Sequence, residues 1–125
     1  MPFIQLNVTL KLTHSQKKEI SEGLGEVMKL IPGKVAAGTI LYIEDGKTFY
    51  AGGNEIEDYA FIETDICGKF PFQVKYDFTV ALFQALKKVL GFDEANMSMK
   101  LQEHMSWGGF GDFIETDEMG QPTTK

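Results

Sequence analysis

The chain opens on strict alternation. Ile4, Leu6, Val8, Leu10 and Leu12 are apolar, and Gln5, Asn7, Thr9 and Lys11 between them are polar. This period of two predicts a β-strand over residues 3–12 with one buried face. Thr13, with Gln16 three residues on, reads as a capping box. Ile20, Leu24, Val27, Met28 and Ile31 follow at helical spacing, and Pro32 with Gly33 is stop punctuation for that helix. The β-branched and aromatic run over residues 39–44 predicts a second strand. Asp45 and Gly46 mark a turn, residues 47–50 a short strand or hairpin return, and Gly52, Gly53 and Asn54 a loop. A third strand is expected over residues 59–66 and a break over 68–71. The next helix, over 73–90, carries Val74, Phe78, Leu82, Ala85, Leu86, Val89 and Leu90 on its apolar side and ends at Gly91. Met97, Met99 and Leu101 alternate with Ser98, Lys100 and Gln102 in a last strand. Beyond Asp112 the chain is acidic and then polar, with little to bury.

The order of elements is β-α-β, loop, β-α-β. It predicts an α+β fold in which two β-α-β units form a four-stranded mixed sheet with two helices on one face. Residues 1–113 then make one domain, with halves at about 1–56 and 57–113, and residues 114–125 form a C-terminal tail. Phe61 beside Ile62 and Leu41 beside Tyr42 place apolar groups on both sheet faces. A second apolar face needs a cover that a domain this small does not supply, so self-association is expected.

Charge and cysteine usage narrow the function classes. The 125 residues carry 12 basic and 18 acidic side chains, a net charge of −6. That balance, with no basic run, lacks the footprint of a nucleic-acid or anionic-membrane binder, and neither partner is expected. No apolar run approaches ~18 residues, the length that spans a bilayer, and the first residues lack the basic segment of a signal peptide. Cys67 is the single cysteine, which excludes an internal disulfide and suits a reducing cytoplasm. Every basic residue is a lysine, so chemistry that needs a guanidinium fork is closed to this chain alone. His14 and His104 stand apart without metal-ligand spacing, and the glycines at 108, 109 and 111 follow Trp107 rather than a strand-to-helix step. Neither a metal nor another cofactor is expected.

Three residues carry candidate chemistry. A proline after the initiator methionine permits removal of Met1, which would leave Pro2 as an N-terminal secondary amine. Burial disfavours its cation and lowers its pKa toward neutrality, the range wanted in a base that takes a proton next to a carbonyl. A Met-Pro start also occurs without function. Lys34, after Pro32 and Gly33, can hold a substrate carboxylate as a point charge or favour the negative end of the preceding helix. Cys67, before Gly68, reads as an inert buried thiol, while its backbone N–H at a strand end can face an anion.

These features resemble the tautomerase superfamily, and within it the macrophage migration inhibitory factor-like group. The resemblance runs from Pro2 to about Phe110. It rests on the opening Pro2, Phe3 and Ile4; on Pro32, Gly33 and Lys34 before the strand over 39–44; on Gly52 and Gly53 in the segment 49–55; on the strand from Tyr59 that ends in Cys67, Gly68 and Lys69; and on Trp107 with Gly108. It implies a β-α-β pseudo-repeat subunit assembled as a homotrimer. The implied activity is cofactor-independent interconversion of the keto and enol forms of small 2-oxo acids such as phenylpyruvate. By position, Pro2 moves the proton, Lys34 binds the carboxylate, and the backbone N–H of Cys67, or of Ile66 if the strand end slips by one, assists. The family's last strand usually presents a tyrosine and, two residues on, an amide or acid; here those places hold Ser98 and Lys100. Lys100 can clamp a second carboxylate, lower the Pro2 pKa by like-charge repulsion, or sit at a subunit contact. Two alternatives stand beside the tautomerase: a cytokine-like interaction module with vestigial activity, and another Pro-dependent reaction such as hydration of an unsaturated acid.

Overall fold

The computed structural model describes residues 2–34, 36–116 and 122–123. Strand β1 (Phe3–Val8) leads to helix α1 (His14–Val27) and strand β2 (Ile40–Glu44). A small hairpin, β3 (Phe49–Ala51) and β4 (Asn54–Ile56), precedes the second unit: β5 (Ala60–Cys67), helix α2 (Phe72–Leu90) and β6 (Met97–His104). A second hairpin, β7 (Ser106–Gly109) and β8 (Asp112–Thr116), follows, and β9 (Pro122–Thr123) pairs with β8.

The main sheet has the order β2-β1-β5-β6. Each β-α-β unit contributes a parallel pair, β1 with β2 and β5 with β6, and the units meet where β1 runs antiparallel to β5. The expected α+β architecture, with its four-stranded mixed sheet, is the one observed. Its core follows from the alternation in sequence. Ile4, Leu6 and Val8 of β1 and Ala60, Ile62 and Ile66 of β5 are buried, together with Ile20 and Leu24 of α1 and Phe78, Leu82 and Leu86 of α2. Each fully buried large aliphatic or aromatic side chain stabilises the fold by about 1.5–3 kcal/mol relative to its exposed state.

The helix boundaries have local causes. At the start of α1 the Thr13 hydroxyl accepts from the Gln16 N–H at 3.1 Å and the Gln16 side chain accepts from the Thr13 N–H at 2.9 Å, so the expected capping box is present. The helix passes into a 3-10 turn over Met28–Leu30 before Pro32. Helix α2 ends at Gly91, whose φ of 81° is the left-handed conformation glycine adopts without strain.

Four local expectations need correction. The first strand ends at Val8, not residue 12: Thr9 still donates its N–H to the Tyr59 carbonyl in register, but its hydroxyl, in place of its carbonyl, accepts from the Tyr59 N–H at 3.0 Å. Gly52 and Gly53, read as a loop, are the tight turn of the β3–β4 hairpin with φ of 57° and 83°, the glycine pair such a turn demands. The chain after residue 112 is not all tail: β8 extends to Thr116, across the expected domain boundary at 113, and Thr116 is buried. Finally, the open sheet face is mixed rather than apolar. Leu41 shares the register of Ile4 and belongs to the helix-covered side. On the open side the Gln5 amide donates to Asn7, Asn7 donates to Glu63, and Lys100 pairs with Glu63 at 3.2 Å. Phe3 and Phe61 are half-buried there, while Ile40 and Tyr42 at the edge are exposed.

Candidate active site

One end of the main sheet gathers most of the residues singled out by sequence. Phe3 pairs with Asp65 and with Ile40, and the Pro2 carbonyl accepts from the Ile40 N–H at 3.1 Å. Continuing the antiparallel register by one residue sets Pro2 level with Ile66. Pro2 is buried, and so are Ile66 and Cys67. Lys34 reaches the same place from the loop after α1. Its backbone N–H donates to the Ile31 carbonyl, and its side-chain Nζ donates to the Cys67 carbonyl at 3.0 Å. A cation from one β-α-β unit therefore sits at the strand end of the other, beside the start of β1. The contact runs through the Cys67 carbonyl, whereas the sequence had pointed to its N–H.

The last strand behaves differently. The Ser98 and Tyr59 hydroxyls are hydrogen-bonded, and Tyr59 packs against Phe49 with ring centroids 5.2 Å apart. Lys100 pairs in register with Glu63, which pairs with Gln5. Lys100 thus lies three residues along the strands from Pro2, roughly 10 Å, and two strands across, roughly another 10 Å. Within one chain Ser98 and Lys100 do not join the group formed by Pro2, Lys34, Ile66 and Cys67. Glu63 has its carboxyl held below the ordinary value of 4.5, first by the hydrogen bond from Asn7 and then by Lys100.

Several neighbours escaped the sequence reading. The Lys34 Nζ lies 5.8 Å from the centre of the Phe70 ring, within cation–π range. The Phe70 N–H donates to Glu103 at 2.7 Å, and the other oxygen of Glu103 accepts from Lys75 at 3.1 Å. The His104 ring bonds Asp65 at 2.7 Å, and its edge meets Trp107. Asp65 and His104 had a usable signal, since both fall on the open-face parity of their strands. Phe70 had none, because it lies in a segment recognised only as a break. Among the described residues no group of three His, Cys, Asp or Glu side chains is placed to hold a metal ion, and no helix is long and apolar enough to cross a membrane. What the strand-end group offers chemically is a fixed cation beside Pro2, where an anion can be held.

No protein-family model matches the sequence, and no curated protein matches it. Solved structures do match it over most of its length. The structure of MIF2 from Leishmania major is similar with a TM-score of 0.81 at 18% identity, covering 90% of this chain and 97% of that one. N1, a member of the cis-3-chloroacrylic acid dehalogenase family, is similar with a TM-score of 0.81 at 14% identity, covering 94% of this chain and 85% of its own. A malonate semialdehyde decarboxylase follows with a TM-score of 0.69 at 15% identity, covering 88% and 91%. At such identities the likeness is one of fold, and it is consistent across the three: this chain has the tautomerase-superfamily fold, the fold of the macrophage migration inhibitory factor-like proteins.

Proposed function

We propose that the protein is a cofactor-independent tautomerase of small 2-oxo acids such as phenylpyruvate, working as a homotrimer in the cytoplasm. The observation that carries this reading is the Lys34 ammonium fixed on the Cys67 carbonyl at the sheet end where β1 begins. A carboxylate bound there lies beside Pro2. Loss of Met1 converts the Pro2 nitrogen from an amide to a basic secondary amine. In the enol-to-keto direction this amine takes the enol hydroxyl proton. The C–O bond becomes a carbonyl as the C=C bond opens, and the ammonium returns a proton to the adjacent carbon. Positioned proton transfer of this kind contributes ~10²–10⁴-fold. Lys34 holds the carboxylate and stabilises the enolate charge that develops. The backbone N–H groups of Ile66 or Cys67 assist.

Ser98 and Lys100 enter such a site only from a second copy, with Lys100 as a further carboxylate contact. Their engagement with Tyr59 and Glu63 instead favours the second reading, an interaction module with vestigial activity. The dehalogenase and decarboxylase relatives in fold keep hydration of an unsaturated acid as a third, which product analysis separates from tautomerisation. The test is enol–keto interconversion of phenylpyruvate by protein lacking Met1 and by its Pro2→Ala variant. The proposal expects a large loss of rate in Pro2→Ala; equal rates remove Pro2 from the mechanism. No turnover over a panel of 2-oxo acids by an intact trimer with a free Pro2 favours the interaction module.

A further inference from the structure

The segment between β5 and α2 is held more firmly than its Gly-Lys-Phe-Pro composition suggests. Gly68 donates its N–H to the His104 carbonyl at 2.9 Å. Two residues on, Phe70 donates its N–H to the Glu103 carboxylate, whose other oxygen is paired with Lys75 of α2. Pro71 caps α2 with φ of −61°, and a following proline restricts Phe70 to extended backbone. A break in the chain is thereby tied to β6 and α2 at successive points. The ring of Phe70 is half-buried, packed on the core from outside, and lies under the Lys34 ammonium. That ammonium has three N–H donors, of which the Cys67 carbonyl takes one.

We propose that Phe70 is the apolar contact for the organic group of a carboxylate held by Lys34, and that Glu103 is the positioning residue that keeps it there. This rests on the reading of the site given above and adds the residue that sets substrate preference. An anion on Lys34 carries its remaining carbon skeleton within reach of an aromatic surface. A bulky or aryl 2-oxo acid gains from that surface, while a pyruvate-sized one meets only the cation.

The test uses inert carboxylates as probes, 3-phenylpropionate and propionate, titrated by calorimetry into protein lacking Met1. Thermal melts of each variant are recorded in parallel. Wild type is expected to bind phenylpropionate about tenfold more tightly than propionate, the size of effect given by partial burial of one ring. Phe70→Ala should bring the two affinities together by weakening only the aryl ligand, and Phe70→Leu should fall between. Glu103→Ala should show the same selective loss. Glu103→Gln, which keeps an acceptor for the Phe70 N–H, should restore the preference. A wild type without preference, equal losses for both probes in Phe70→Ala, or an unchanged preference in Glu103→Ala would overturn the inference. Phenylpyruvate turnover by the same samples separates it from the proposed reaction. A Phe70-dependent aryl preference without turnover supports this contact and removes the tautomerase; turnover with no dependence on Phe70 removes this contact alone.

Discussion

Replacing Lys34 by methionine removes one charge while keeping a flexible apolar stem of similar reach. Two effects follow, and their magnitudes differ enough to be told apart. In the free protein the ammonium bonds one carbonyl at 3.0 Å and faces one ring at 5.8 Å, with its side chain partly in solvent. Such a contact contributes about 1 kcal/mol or less to folding, so the melting temperature should fall by only a few degrees, about 2–6 °C for a domain of this size. Toward a bound carboxylate the same ammonium supplies a charge-assisted hydrogen bond of about 1.5–3 kcal/mol. At 1.36 kcal/mol per tenfold, that is a loss of about 10- to 150-fold in kcat/KM. The carboxylate keeps its charge through the reaction, so most of the loss should fall on KM. Lys34→Arg should recover part of it. The assay is the ultraviolet absorbance change of phenylpyruvate enol–keto interconversion, with circular dichroism melts on the same samples. A Lys34→Met protein that folds and keeps kcat/KM within twofold of wild type would refute the assignment of Lys34 as the carboxylate contact.

The structure makes three further predictions. Glu63 has a folded pKa below its ordinary 4.5, first because Asn7 donates to it; its stabilisation is complete above the unfolded value and disappears as pH falls through the lower folded one. Asn7→Ala should therefore depress the melting temperature more at pH 7 than at pH 3, and an equal depression at both would contradict that linkage. Phe78, fully buried between the helices and the sheet, should cost about 3–5 kcal/mol on replacement by alanine, read from urea unfolding. Phe110 holds a left-handed φ of 50° at the β7–β8 turn with its side chain largely exposed; Phe110→Asn, which places the favoured Asn-Gly pair there, should raise stability by about 1 kcal/mol, measured in the same way.

Much of this architecture was legible because its signals are local. The alternation from Ile4 to Val8, the Thr13–Gln16 box and the apolar spacing of α2 each state their own element. What escaped depends on partners distant in sequence. The ladder stops where the Thr9 hydroxyl takes the Tyr59 N–H, 50 residues away, and nothing near Thr9 announces it. The return strand β4 after Gly52 and Gly53 was hidden because it is three residues long, too short for alternation to show. The β7–β8 hairpin turns on a phenylalanine at positive φ, which turn chemistry argues against. Pro2, Lys34, Ile66 and Cys67 are singled out by motif order; the sheet register sets Pro2 level with Ile66, and the Lys34 side chain reaches the Cys67 carbonyl. Phe70 and Glu103 stayed invisible because their importance lies in one backbone N–H meeting one carboxylate across 33 positions. Ser98 and Lys100 were placed correctly on one strand face, but a single chain sets that part of the strand away from Pro2.

Proton transfer at this site depends most on the state of the Pro2 nitrogen, and a titration of that atom addresses it directly. Protein expressed without Met1 and labelled with nitrogen-15 at proline allows the Pro2 amine to be followed by NMR across pH. Burial at the sheet end predicts a midpoint well below the ~8 of an ordinary chain terminus, near neutrality. A midpoint at the ordinary value would contradict the account, leaving Pro2 protonated in the cell and unable to serve as the base.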